Sequence, residues 1–394
     1  MEPSMRWYGP GDMVPLNFIR QAGAEGVVTS LHHIAYGELW SVDEIRKRQQ
    51  FVADAGLRWN VVESLPVHED IKLRSGNFEK YIENYKLSLR NLGFCGVKTV
   101  VYNFMPVLDW VRTDLKYRLP DGSQALYFNC RQFSAFELFM LEREGAEQDY
   151  TAAQLADAKE YYDGLTSAER RGLCANIIDN FPGFKGVTIE DVRKMLARYK
   201  GIGREELRDN FKRFLEAVIP AAEESGCVIA IHPDDPPRSI LGLPRIFSTQ
   251  QDIDWLLKAV DSPANGINFC AGSFSGRLDN DVVRMFNSCA PRVAFLHLRS
   301  TEHLANGDFF EANHLEGVVD MYNLVKSIMV EQKRRQAAGR ADWRIPFRPD
   351  HGHTMMDDLS KPACPNPGYT AIGRMKGMAE IRGLEYGIMR AQQD

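Results

Sequence analysis

Four residues of this 394-residue chain carry side chains that a borderline divalent cation selects, and each stands just past a short apolar run. His232 follows 227–231 (CVIAI), Cys270 follows 266–269 (GINF), His297 follows 292–296 (RVAFL) and Asp350 follows 344–348 (RIPFR). Two imidazoles, one thiolate and one carboxylate make a four-ligand set, each ligand coming from a different segment. Singly, each residue is bland: a cysteine after Asn-Phe is more often a buried apolar side chain, and a histidine at a strand end serves loop hydrogen bonding as often as chemistry. The coincidence of four favours a metal site. The flanking stretches HPDDPP (232–237) and RPDHGH (348–353) gather titratable groups in loops stiffened by Pro and Gly, where the plainer reading is turns with solvated charges. His351 suits a general base near neutral pH, or equally a hydrogen-bond partner of a ligand.

Such a set forms only if the runs are neighbouring strands with a common direction. Short apolar runs at 26–32, 58–64, 97–104, 227–231, 266–269, 292–296, 308–312 and 344–348 alternate with helical patterns. These include a capping-box spelling at 41–44 (SVDE), a face of Tyr81, Ile82, Tyr85, Leu89 and Leu92 stopped by Gly93, and a face of Phe211, Phe214, Leu215, Val218 and Ile219. Alternation of this kind predicts parallel βαβ units, and eight runs favour a closed (β/α)8 TIM-type barrel forming a single domain over 1–394. About 100 residues after the third run lack a clear strand, so a long, mainly helical insertion is expected at 113–203. The seventh and eighth runs are the weakest. Active sites of such barrels lie at the C-terminal ends of the strands, where the four ligand candidates stand.

Other polar residues fall at the same rim: His32, His33, Glu63, Asn103, Asp109, Trp110 and Arg112. Trp110 is more often packing than a sugar-stacking surface, and Arg112 more often a surface ion pair than an anion clamp. NPGYTAIGR (366–374) follows the last run, so Tyr369 and Arg374 are candidates to fold over the site, against an ordinary loop-to-helix connection. Asn103, Trp110 and Arg374 are the substrate-contact candidates; His303 and His314 receive no role. With 48 Lys+Arg against 53 Asp+Glu, net charge −5 and no basic tract, nucleic-acid binding is not expected. No run nears the ~18 apolar residues of a membrane span, and the start lacks a signal-peptide plan, so a cytoplasmic protein is expected. The seven scattered cysteines read as thiols. Dinucleotide, phosphate-loop and nucleophile-elbow fingerprints are absent from the sequence.

Taken together, RWYGP (6–10), ESLPVHEDIK (63–72), YNFMPVLDW (102–110), IHPDDPP (231–237), GLPRI (242–246), HLRS (297–300), RPDHGH (348–353) and NPGYTAIGR (366–374) closely resemble the metal-dependent mannonate dehydratases of glucuronate and other hexuronate breakdown, over essentially the full length. The resemblance implies a TIM-type barrel that converts D-mannonate to 2-keto-3-deoxy-D-gluconate and water. It implies Mn2+ or Fe2+ on His232, Cys270, His297 and Asp350, the set reached above from strand ends. Ligand softness alone would favour Zn2+ over Mn2+. It further implies acid–base roles for His351 and Tyr369, and self-association, taken as a homodimer. Competing readings are a metal-dependent sugar isomerase or epimerase, which shares proton abstraction beside a metal-bound oxygen, and a non-catalytic sugar-acid binding protein.

Overall fold

The computed structural model describes residues 1–179 and 186–391. Eight parallel strands close a barrel: β1 (Glu2–Arg6), β2 (Gly26–Thr29), β3 (Arg58–Glu63), β4 (Thr99–Tyr102), β7 (Val228–Ile231), β8 (Asn265–Cys270), β9 (Val293–His297) and β12 (Pro346–Arg348). The order around the barrel is β1-β12-β9-β8-β7-β4-β3-β2. Val28, Val61, Val101, Ala230 and Phe295 fill part of its interior, so it is a packed core and not a pore. Helices Val42–Asp54, Phe78–Phe94, Arg204–Ser225, Gln250–Ala259, Val282–Cys289, Met321–Ala337 and Ala371–Ala391 accompany the strands.

The barrel is the expected one, but two of its parts differ from the sequence reading. Glu2–Arg6 is the first strand, pairing with both β2 and β12; EPSMR, with Pro, Ser and two charged residues, has no β-branched run to announce it. The run at 308–312 is instead β11 (Phe309–Glu311), in a separate antiparallel sheet ordered β10-β11-β6-β5 with β10 (Thr301–His303), β6 (Gln124–Phe128) and β5 (Asp114–Arg118). The two departures offset each other, which is why the count of eight held. Accordingly the insertion follows the fourth barrel strand, not the third. It opens with the β5–β6 hairpin before turning helical at Cys130–Ala135, Ala152–Gly164, Ser167–Ile178 and Ile189–Arg198. Residues 180–185 of the expected insertion lie outside the described residues. The Pro-Asp-Gly at 120–122 was the available turn signal for the hairpin.

Local signals elsewhere explain the element ends. Ser41 Oγ accepts from Glu44 N at 3.3 Å, but the Glu44 carboxylate turns to His33 and Lys47, so only half of the capping box forms. Gly93 does not stop its helix, which runs on to Phe94; a Cβ there would lie 2.4 Å from Ser225 O, so glycine lets helix Phe78–Phe94 pack closely on helix Arg204–Ser225. All seven cysteines are free thiols, as expected. Among the described residues no helix is long and apolar enough to cross a membrane.

Candidate metal centre and its pocket

Strand register brings the ligands together. Cys270 on β8 is level with His297 on β9, and His297 is level with Arg348 on β12, so three neighbouring strands end side by side. His232 follows β7, its N–H bonded to Tyr102 O. Ligand atoms of His232, Cys270 and His297 all lie within 4.8 Å of one another, with Cys270 and His297 buried. His232 Nδ1 donates to Pro233 O at 2.7 Å, leaving the Nε2 lone pair free, and burial lowers its pKa, favouring the neutral ring a metal needs. Cys270 Sγ accepts from Ser273 N at 3.4 Å and from Ser273 Oγ at 3.1 Å. His297 Nδ1 is buried and has no hydrogen-bond partner among the described residues; Nε2 lies 3.0 Å from Arg348 Nε and 3.3 Å from Glu63 Oε1, and with Nε2–H turned to Glu63 the Nδ1 lone pair faces the cluster. These donors fit a divalent ion.

Asp350 stands beside the three. Its Oδ2 is 3.8 Å from Cys270 Sγ and 3.6 Å from His297 Nδ1, while Arg348 and Arg299 also grip the carboxylate. Burial would raise its pKa; the charges of Arg348, His351, His297 and Arg299 overcome this and hold it well below the usual range. Asp350 has φ 63°, in the left-handed region that Asp tolerates better than most residues. Behind it Gly352 and Gly373 touch backbone to backbone, since a Cβ on Gly352 would lie 2.4 Å from Arg374 N.

The remaining candidates divide. Tyr369 points into the site: Arg348 Nη1 donates to its Oη at 3.1 Å, and its hydroxyl donates to Asp350 Oδ1 at 3.3 Å. Burial raises the phenol well above its ordinary value despite Arg348, so it is protonated at neutral pH. His351 meets Tyr369 edge-on with ring centroids 5.2 Å apart, and Trp110 at 5.5 Å. Asn103 and Trp110 line the pocket; Asn103 Nδ2 donates to Asp109 Oδ2 at 3.1 Å, and the Trp110 Nε1–H is buried without a partner among the described residues. Arg374 is not among the residues lining the pocket; it donates to Thr370 O and Arg6 O and lays its guanidinium over the Tyr369 ring. It braces the tyrosine from behind. Arg112 is likewise not a surface pair, being fully buried against Asp235 and Glu311.

A residue given no role from the sequence completes the site. Glu311, at the end of β11, lies 3.1 Å from His351 Nδ1 and also takes Arg299 and Arg112. Burial opposes its ionisation, but Arg299, Arg112 and His351 hold its carboxyl far below the usual range. An ionised partner at Nδ1 selects the tautomer with Nδ1–H, leaving Nε2 as the reactive nitrogen. Glu311 lies inside the run at 308–312 and not past its end, and that run pairs with the insertion's hairpin in the antiparallel sheet and not with the barrel.

His314, left without a role, supports this rim by bonding Pro349 O through Nε2 at 2.6 Å. Burial pushes its pKa down to about 4, with smaller opposing contributions from Pro349 O and nearby carboxylates. A lowered folded-state pKa means the unfolded chain binds the proton first as pH falls below about 6.5. His314 therefore stabilises the fold fully above that pH, and loses up to about 1.4 kcal/mol per pH unit down to about 4. Urea unfolding at pH 7 and 4.5 should show the wild type losing about 2 kcal/mol more than His314→Gln; equal losses would contradict this.

The closed barrel, with two histidines and a cysteine meeting on the C-terminal rim beside a histidine–tyrosine pair, defines a TIM-barrel enzyme with a candidate metal centre. The chain belongs to the D-mannonate dehydratase (UxuA) family, whose model matches residues 1–394. It is 53% identical over 391 residues to the mannonate dehydratase of Marinomonas sp. (strain MWYL1), covering 98% of this chain and 99% of that one. It is 48% identical over 389 residues to that of Saccharophagus degradans, covering 98% of each. The crystal structure of mannonate dehydratase from Streptococcus suis serotype2 is similar at TM-score 0.78 and 34% identity, covering 100% of this chain and 95% of that one. Membership carries the family's activity, dehydration of D-mannonate, a carbon–oxygen lyase reaction.

Proposed function

We propose that the chain converts D-mannonate to 2-keto-3-deoxy-D-gluconate plus water in hexuronate breakdown, with Mn2+ or Fe2+ held by His232, Cys270, His297 and Asp350. When bound, such an ion would withdraw charge from substrate oxygens and so acidify the C2 proton. His351 Nε2, kept free by the Glu311 carboxylate at Nδ1, is the base that takes the C2 proton. Tyr369, protonated because it is buried, gives its proton to the departing C3 hydroxyl, which leaves as water. The resulting enol tautomerises to the 2-keto acid. Asn103 and Trp110 hold substrate hydroxyls; Arg374 keeps Tyr369 in place. The observation that carries this reading is the Glu311–His351–Tyr369 arrangement beside the His232–Cys270–His297 cluster.

Product analysis tests it. Incubated with D-mannonate and Mn2+ or Fe2+ in D2O, the enzyme should release the 2-keto-3-deoxy acid with solvent deuterium at C3. An isomerised or epimerised product that retains all its oxygens would place the chain among sugar isomerases instead. The chain is further proposed to work in the cytoplasm as a homodimer, which sedimentation velocity tests by its mass.

Cys270→Ser keeps the volume but replaces the soft ligand. Metal content after dialysis is expected to fall at least about tenfold, and turnover with it. Metal content equal to wild type would remove Cys270 from the ligand set.

A further inference from the structure

RWYGP at 6–10 begins with the last residue of β1, and the acid–base reading leaves that residue unused. Arg6 lines the active-site pocket, is only 6% exposed, and forms no ion pair with any carboxylate among the described residues. Its Nη2 donates to His32 Nε2 at 3.3 Å, and its guanidinium lies 4.6 Å from the Tyr8 ring centroid. Burial and Arg6 itself push His32 well below its ordinary pKa, so His32 is a neutral acceptor and not a counter-charge. Arg6 Nη1 is buried with no hydrogen-bond partner among the described residues. The pocket's carboxylates Glu63, Asp350 and Asp235 are each gripped by other arginines.

A buried guanidinium with no carboxylate in direct contact, Glu63 acting on it only through space, is costly unless a ligand completes it. Two further buried atoms in this pocket wall lack hydrogen-bond partners among the described residues: Glu63 Oε2 and the Trp110 Nε1–H. The other Glu63 oxygen, Oε1, accepts from Arg348 Nη2 at 2.8 Å, so Oε2 is the free acceptor. A cation, an anionic acceptor and a neutral donor together match a molecule with one carboxylate and several hydroxyls.

We infer that Arg6 anchors the carboxylate of the sugar-acid substrate, with Glu63 Oε2 accepting from one of its hydroxyls; this rests on the dehydratase reading and adds the residue that sets specificity for an acid over a neutral sugar. Arg6→Met should raise KM for D-mannonate about 100-fold. Its calorimetric affinity for D-mannonate should fall equally, and binding of neutral D-mannitol should be unchanged. Arg6→Lys, which keeps the charge but loses the fork, should fall between, and added guanidinium ion should restore part of the Arg6→Met affinity.

Affinity for D-mannonate within threefold of wild type in Arg6→Met overturns the anchor. Should Arg6→Met not fold, Arg6→Lys decides: a KM equal to wild type overturns it, and a rise of about tenfold without loss of thermal stability supports it. Should wild type release no product from D-mannonate, the reaction reading fails while calorimetry still judges Arg6. A mannonate-over-mannitol preference lost in Arg6→Met then supports the anchor, and no preference in wild type overturns it.

Discussion

Tyr369→Phe is expected to lower kcat by about a thousandfold while leaving KM within a few-fold, because only one proton is removed from a site that otherwise keeps its shape. The phenol oxygen touches Arg348 Nη1 and Asp350, which pair with each other directly, so neither charge loses its main partner. The ring remains packed against His351, Tyr8 and the Arg374 guanidinium. Thermal stability and metal content should therefore match wild type. His351→Gln should cost about as much in kcat, and the double variant little more than either alone, since acid and base serve the same elimination. Full activity in both single variants would end the assignment.

Glu311→Gln should damage both fold and reaction. The carboxylate is shared by Arg299 and Arg112, both fully buried, and by His351. An isosteric amide removes the charge and leaves the two guanidinium groups with Asp235 and Asp350 alone. Breaking one partner out of a buried charge cluster costs about 3–5 kcal/mol. The amide also no longer selects the Nδ1–H tautomer of His351, for a further loss of about 10- to 100-fold in kcat. Urea unfolding and steady-state kinetics read the two effects separately. A stability change under about 1 kcal/mol together with wild-type kcat would show that Glu311 neither secures the cluster nor orients the base.

Much of this candidate site is legible in the sequence because its ligand candidates obey a positional rule. His232, Cys270 and His297 each end or directly follow a barrel strand, and the β8–β9 register then places two of them side by side. Tyr369 is a candidate through its motif, and its hydroxyl lies between Arg348 and Asp350. What the sequence hid was pairing at long range. Arg112 meets Asp235 across 123 positions and Glu311 across 199, and no local pattern turns an apparent surface arginine into the centre of a buried network. Glu311 was passed over because a short aromatic run suits a barrel strand and an antiparallel sheet equally; only pairing with β6 decides. Arg6 was out of reach once Glu2–Arg6 went unread as a strand, for a residue cannot be placed on the rim of a strand not known to exist.

The central claim is that the chemistry runs on a divalent ion held by His232, Cys270, His297 and Asp350. Its most direct test is to strip the enzyme with a chelator, add back Mn2+, Fe2+ or Zn2+ separately, and follow 2-keto-3-deoxy-D-gluconate formation from D-mannonate. Turnover should vanish on stripping and return with one equivalent of Mn2+ or Fe2+. Undiminished turnover in the stripped enzyme, or none with any of the three ions, would contradict it.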